Sequence, residues 1–199
     1  MSSAPGGAHD LVVVGASWGG LQALRTVLGG LPAELGAAVV LVQHRSAASH
    51  ATAFRDLLAV ATALRVCDID DKDPLEPGHV YVAPADFHTL VDGDHLELSL
   101  DAAVEYSRPS IDVLFTSAAE SHRERCVGVV LTGANADGAA GLARVAELGG
   151  IAIVQDQETA ERAEMPRAAL TAVPSARVLP LAAIASHLVE LCSRPGVRA

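Results

Sequence analysis

Aromatic residues make up only 3% of the chain, and no apolar run approaches the length needed to cross a bilayer. The first shortage means that the core must be assembled from Val, Leu, Ile and Ala, which suits a helix-covered parallel sheet. The second, together with an N-terminus that lacks a basic region followed by an apolar core, argues against a secretory signal and for a cytoplasmic protein without membrane insertion. Positive charge is scarce as well. Lys plus Arg number 14 against 24 Asp plus Glu, a net charge of −10 with no compensating basic block, which argues against nucleic acid as a partner. The cysteines are Cys67, Cys126 and Cys192, far apart, odd in number and without a CxxC pair. They read as buried free thiols rather than as a disulfide or a thiolate-metal set.

What the chain does have is an alternation of apolar strands and amphipathic helices, with no repeat and no low-complexity block. A length of 199 residues suits one domain. Residues 1–9 are small, polar and glycine-rich and read as a disordered leader, 10–192 as the domain and 193–199 as a flexible tail. A strand over 10–15, a helix over 20–28 and a strand over 37–43 make a βαβ unit whose strands are parallel and buried on both faces. The pattern then predicts a helix over 49–63, with Phe54, Leu57, Leu58 and Ala61 inward, and strands over 65–67 and 79–83. An alternating hairpin follows around Asp92-Gly93-Asp94. Beyond it come a helix over 110–122, with Val113, Leu114, Ala118 and Ala119 inward, and an apolar strand over 126–131. Helices over 139–148, 165–172 and 181–192 alternate with strands over 151–154 and 177–179. The expected fold is a doubly wound α/β domain, mainly parallel, with helices on both faces and a small antiparallel hairpin.

In such sheets ligands bind beyond the carboxyl ends of the strands, so polar residues there carry the most weight. Ser17 follows the first strand in Gly15-Ala16-Ser17-Trp18-Gly19-Gly20, His44 follows the second, and Asp137 lies in the loop after the strand over 126–131. A hydroxyl, an imidazole and a carboxylate are the parts of nucleophilic acyl transfer, with His44 as base and Asp137 holding its tautomer. Taken alone, Ser17 is equally a helix N-cap. A metal site on His44 and Asp137 lacks a third ligand at suitable spacing, and no cofactor is called for.

Two patterns fail at the opening motif. Gly15-Ala16-Ser17-Trp18-Gly19 satisfies GxSxG, but α/β-hydrolases order their triad Ser, Asp, His with the serine mid-chain, and here the order is Ser, His, Asp. A dinucleotide-binding turn would require an acid at the end of the second strand, where Gln43-His44-Arg45 stands.

The set formed by the opening motif, Val42-Gln43-His44, Leu75 to Pro84, Arg108-Pro109-Ser110-Ile111-Asp112-Val113-Leu114-Phe115, Leu131-Thr132-Gly133 with Asp137-Gly138-Ala139-Ala140-Gly141, and Met165-Pro166-Arg167-Ala168-Ala169 resembles the CheB catalytic domain. CheB proteins are the protein-glutamate methylesterases of bacterial chemotaxis. The resemblance runs from about residue 10 to 191 and implies that Ser17, His44 and Asp137 stand at the family's catalytic positions. It implies hydrolysis of glutamate γ-methyl esters on a helical chemoreceptor segment, with release of methanol, and glutamine deamidation at such sites. Backbone donors near Trp18 and in Gly133-Ala134-Asn135 become the candidate substrate pocket and oxyanion region. Two positions depart from the family pattern: Trp18 stands where threonine is common, and Gly133-Ala134-Asn135 replaces a Gly-Met-Gly turn. Trp18 is thereby expected to reshape the acyl pocket. The chain starts about ten residues before the first strand, so the family's N-terminal receiver domain is expected to be absent, and the protein is expected to be a monomer. A catalytically degenerate CheB-like binding or scaffold module is the alternative reading.

Overall fold

The computed structural model describes residues 9–45 and 51–193. Most of the expected leader and tail, and the start of the helix expected over 49–63, lie outside the described residues. His9, placed in the leader by its sequence, is tied to the domain: its N–H donates to the Leu191 carbonyl at 3.2 Å.

Seven strands form one parallel sheet: β1 (Leu11–Ala16), β2 (Ala38–Gln43), β3 (Arg65–Asp68), β4 (His79–Val82), β7 (Cys126–Val130), β8 (Ile151–Gln155) and β9 (Arg177–Leu179). Their order is β3-β4-β2-β1-β7-β8-β9. Strands β5 (His88–Asp92) and β6 (His95–Ser99) make the separate antiparallel hairpin. The helices are α1 (Gly20–Gly29), α2 (Ala51–Ala59), α3 (Ile111–His122), α4 (Ala139–Glu147), α5 (Glu164–Ala172) and α6 (Leu181–Cys192). The expected doubly wound fold is what forms.

The sheet is buried on both sides because β1 is apolar at every position and its side chains alternate between two cores. Leu11 and Val13 join Phe115, Leu114 and Leu142 on one face, while Val12, Val14 and Ala16 join Leu24, Leu28 and Ile184 on the other. Each fully buried valine of this kind contributes about 1.5–3 kcal/mol. Hairpin β5–β6 rides on α3, where the Val91 N–H donates to Ser117 Oγ at 3.0 Å and Ser121 Oγ donates to the Val91 carbonyl at 3.0 Å.

Two burial expectations change. Helix α2 ends at Ala59 and leaves Leu57 exposed, with Leu58 as its fully buried residue. Helix α3 buries Ile111 and Phe115 together with Leu114, Ala118 and Ala119, whereas Val113 is half-buried. Its inward stripe is therefore wider than the positions first picked out.

Candidate active site

The strand order sends the chain one way from β1 through β2 and the other way through β7, so the switch point lies between β1 and β7. The carboxyl ends of β1, β2 and β7 adjoin there, with β1 paired to β2 from Leu11 opposite Ala38 and to β7 from Leu11 opposite Cys126. Ser17, His44 and the Thr132–Asp137 loop leave the sheet at this point.

Gly19 starts α1 in the left-handed region, at φ +77°, which lets the chain turn directly from Ser17 into the helix. Main-chain bonds lock the turn: the Ser17 N–H donates to the Thr132 carbonyl at 3.0 Å and the Gly20 N–H to the Ser17 carbonyl at 2.9 Å. Gln43 braces it from below, its Nε2 donating to the carbonyls of Ser17 at 2.7 Å and His44 at 2.9 Å. Thr132 Oγ1 donates to the Trp18 carbonyl at 2.9 Å and accepts from the Arg162 N–H at 2.9 Å. At Gly133 a Cβ would run into Met165 and stand 2.9 Å from Ser17 Cβ, so only glycine allows this loop to lie against the serine.

Asp137 is 1% exposed and accepts four hydrogen bonds. His44 Nε2 lies 2.8 Å from Oδ2, the Ile111 N–H donates to Oδ2 at 2.8 Å, and Ser110 Oγ and the Asp112 N–H donate to Oδ1 at 2.8 and 2.9 Å. Two of these donors are the first amides of α3, so the carboxylate sits on the positive end of that helix. Burial works against ionisation. The bonds from His44, Asp112, Ile111 and Ser110 outweigh it and hold the carboxyl below its ordinary value. Neighbouring Asp112 goes the other way: burial, joined by the charge of Asp137, raises its carboxyl although the Gly141 N–H donates to it.

The bond to Asp137 places the imidazole proton on Nε2 and leaves the Nδ1 lone pair on the other side of the ring. Asn135 occupies that side, with Nδ2 3.3 Å from Nδ1. The amide is oriented by the Asp137 N–H, which donates to Asn135 Oδ1 at 3.3 Å. Ser17 and His44 line one cleft of about 300 Å3 together with Arg45, Arg108, Pro109 and Asn135. Among the hydrogen bonds of the described residues, none joins Ser17 Oγ to His44.

The other residues singled out by sequence fall as follows. Trp18 is 59% exposed and turns toward the loop before α5: its Nε1 donates to Glu161 Oε1 at 2.7 Å, and the Arg162 guanidinium lies 5.5 Å from the ring centre. Neither Trp18, Gly133 nor Ala134 lines the cleft shared by Ser17 and His44. The Gly133 N–H is engaged by the Arg162 carbonyl at 3.1 Å, whereas the Trp18 N–H has no acceptor among the described residues. Sequence reasoning assigned no role to Ser110, the amides of Ile111 and Asp112, or Gln43. Among the described residues no three His, Cys, Asp or Glu side chains are grouped as a metal ion requires, and no helix is long and apolar enough to cross a membrane.

A doubly wound α/β domain with a serine, a histidine and a buried carboxylate at its switch point belongs to the class of α/β proteins that bind ligands beyond the strand ends. Within that class the chain belongs to the CheB methylesterase family, whose model matches residues 12–188. A relative from Leptospira interrogans is 42% identical over 184 residues, which is 92% of this chain and 95% of that one. A protein-glutamate methylesterase/protein-glutamine glutaminase of Carboxydothermus hydrogenoformans is 39% identical over 186 residues, 90% of this chain but 54% of its own length. Among solved structures, the CheB methylesterase catalytic domain of Thermotoga maritima superposes with a TM-score of 0.87 at 30% identity, covering 92% of this chain and 99% of that one.

Proposed function

We propose that the protein is a protein-glutamate methylesterase that hydrolyses glutamate γ-methyl esters on a protein substrate through Ser17, His44 and Asp137, with glutamine deamidation as the parallel reaction. The substrate is a methylated helical segment of the chemoreceptor kind. The observation that carries the reading is the His44 ring, fixed by Asp137 through Nε2 and offering Nδ1 to the cleft that also holds Ser17. Family membership and the names of its relatives support the ester as substrate.

In this scheme Ser17 Oγ rotates to His44 Nδ1, a contact that resting structures of hydrolases commonly leave unmade. Nδ1 takes the hydroxyl proton as Oγ attacks the ester carbonyl. Asp137 stabilises the resulting imidazolium, and its own four hydrogen bonds keep it ionised. The carbonyl oxygen gains charge beside the Trp18 N–H, the uncommitted donor following the nucleophile. Collapse of the intermediate expels methoxide, which leaves as methanol with the proton from Nδ1. Water, activated by the same nitrogen, then cleaves the glutamyl-serine ester. The test is methanol release from a peptide carrying one glutamate γ-methyl ester. Wild type releases stoichiometric methanol and Ser17→Ala releases none above background. Equal release by both variants would overturn the assignment.

A further inference from the structure

The cleft that holds Ser17 and His44 carries two cations that make no ion pair among the described residues. Arg45 and Arg108 both line it, and among the described residues neither has a carboxylate within ion-pair distance. Elsewhere among the described residues Arg55, Lys72, Arg125 and Arg144 are in ion pairs with carboxylates, and the cations that are not, Arg25, Arg65, Arg123, Arg162, Arg167 and Arg177, are exposed to water, whereas Arg45 and Arg108 are half-buried. With 24 acidic residues against 14 basic ones, partners are not in short supply.

Both guanidinium groups are half-buried and held from behind. Arg108 Nη1 donates to the carbonyls of Leu100 and Asp101 at 3.2 and 3.1 Å, and Arg45 Nη2 donates to the Ala83 carbonyl at 3.2 Å while the group stacks 4.9 Å over the Phe54 ring. Arg108 Nε and Arg45 Nη1 are shielded from solvent and have no acceptor. Leaving charged donors buried and unmatched is costly unless something else matches them. The connector before Arg108 is also set in place: Val104 and Ser107 exchange both main-chain bonds, at 3.1 and 2.8 Å, across Glu105 and Tyr106, which both lie in the left-handed region. That turn presents Tyr106, fully exposed, at the rim of the same cleft.

We infer that Arg45 and Arg108 form a carboxylate subsite beside Ser17, so that the enzyme selects a methyl ester that has a free acidic side chain one helical turn away. The inference rests on the methylesterase reading for what occupies the rest of the cleft. Residues four apart on a helix are near neighbours, and planar guanidinium forks suit a carboxylate better than any neutral side chain.

The test uses two helical peptides, each with one glutamate γ-methyl ester, that differ only in having Glu or Gln at the positions four residues before and after it. Binding is measured on Ser17→Ala and turnover on the wild type. The subsite predicts that the Glu peptide binds about tenfold more tightly at low salt, that the preference shrinks in 0.5 M salt by screening, and that Ser17→Ala with Arg108→Gln or Arg45→Gln loses most of it. Arg108→Lys, which keeps the charge, retains a salt-sensitive part. Equal binding of the two peptides to Ser17→Ala would overturn the subsite, whatever the turnover. Preference for the Glu peptide without methanol release by the wild type would sustain the subsite and overturn the esterase reading instead.

Discussion

Two histidine–aspartate pairs lie at opposite edges of the same sheet, and by distance alone they are alike. At the carboxyl edge His44 Nε2 stands 2.8 Å from Asp137, and at the amino edge His122 Nδ1 stands 2.9 Å from Asp10. What surrounds them differs. His122 turns its other nitrogen to the Gly93 carbonyl at 3.1 Å, and Asp10 also takes Arg125, so the cluster fastens the hairpin, α3 and the start of β1 to one another. His44 keeps Nδ1 facing a cleft with a serine in it, and its aspartate is held by three further donors, none of them charged. A close histidine–carboxylate pair is therefore no mark of catalysis. What sets the His44 pair apart is the serine and the open cleft on the far side of its ring, where Nδ1 meets only the long contact from Asn135.

The largest expected contrast is at the two carboxylates. Asp137→Asn is expected to lower kcat for ester hydrolysis by about 10⁴-fold, because it misplaces the imidazole proton and removes the charge that stabilises the imidazolium. Asp10→Asn is expected to leave kcat within about twofold. Steady-state methanol release from the same peptide checks both, and comparable losses would dissolve the distinction.

Stability should sort the pairs the other way. His122→Ala removes a 5% exposed side chain and both its bonds, and is expected to cost about 2–3 kcal/mol in urea unfolding with kcat unchanged. An activity loss exceeding the loss of folded protein would give that pair a role it is not assigned here.

Both aspartates also make stability depend on acid. Burial opposes ionisation at each, but the bonds and charges of His122 and Arg125 around Asp10, and the donors around Asp137, hold both carboxyls below their ordinary 3.8 in the folded state. The unfolded chain therefore binds protons first. The stabilisation is complete above the unfolded value and is lost as pH falls through the lower folded values. Asp112, raised mainly by burial, contributes with the opposite sign. Urea midpoints are expected to fall below about pH 4, and Asp137→Asn should flatten that fall; an unchanged slope would contradict the assigned shift.

The smallest effect belongs to Asn135. Its amide competes for the lone pair of His44 through a long bond of 3.3 Å. Releasing it in Asn135→Ala is expected to raise kcat/KM about threefold, within the range of one weak hydrogen bond. A loss of tenfold or more would assign the amide to the transition state.

That Ser17, His44 and Asp137 meet at one edge was legible in sequence because each follows an apolar strand, and parallel strands deliver their carboxyl ends to one edge. The anchoring of Asp137 was not. Its donors come from Ser110 and from main-chain amides 26 and 25 residues away, and a backbone N–H has no residue type to betray it. Trp18 illustrates a second limit. Residue identity indicated a bulky side chain next to Ser17, but its direction is set by Glu161, 143 residues further on. The strands were readable nearly to the residue, whereas the inward faces of α2 and α3 were misjudged at Leu57, near the end of α2, and at Phe115, which packs beside Gly141 of α4 and Gly128 of β7.

Labelling with a serine-directed phosphonate, read by mass spectrometry of the tryptic peptides, tests the central claim most directly. The account predicts a single adduct on Ser17 in the wild type, none in Ser17→Ala, markedly slower labelling in Asp137→Asn and unaltered labelling in Asp10→Asn. An unlabelled wild type, or an adduct that forms as fast in Asp137→Asn, would contradict it.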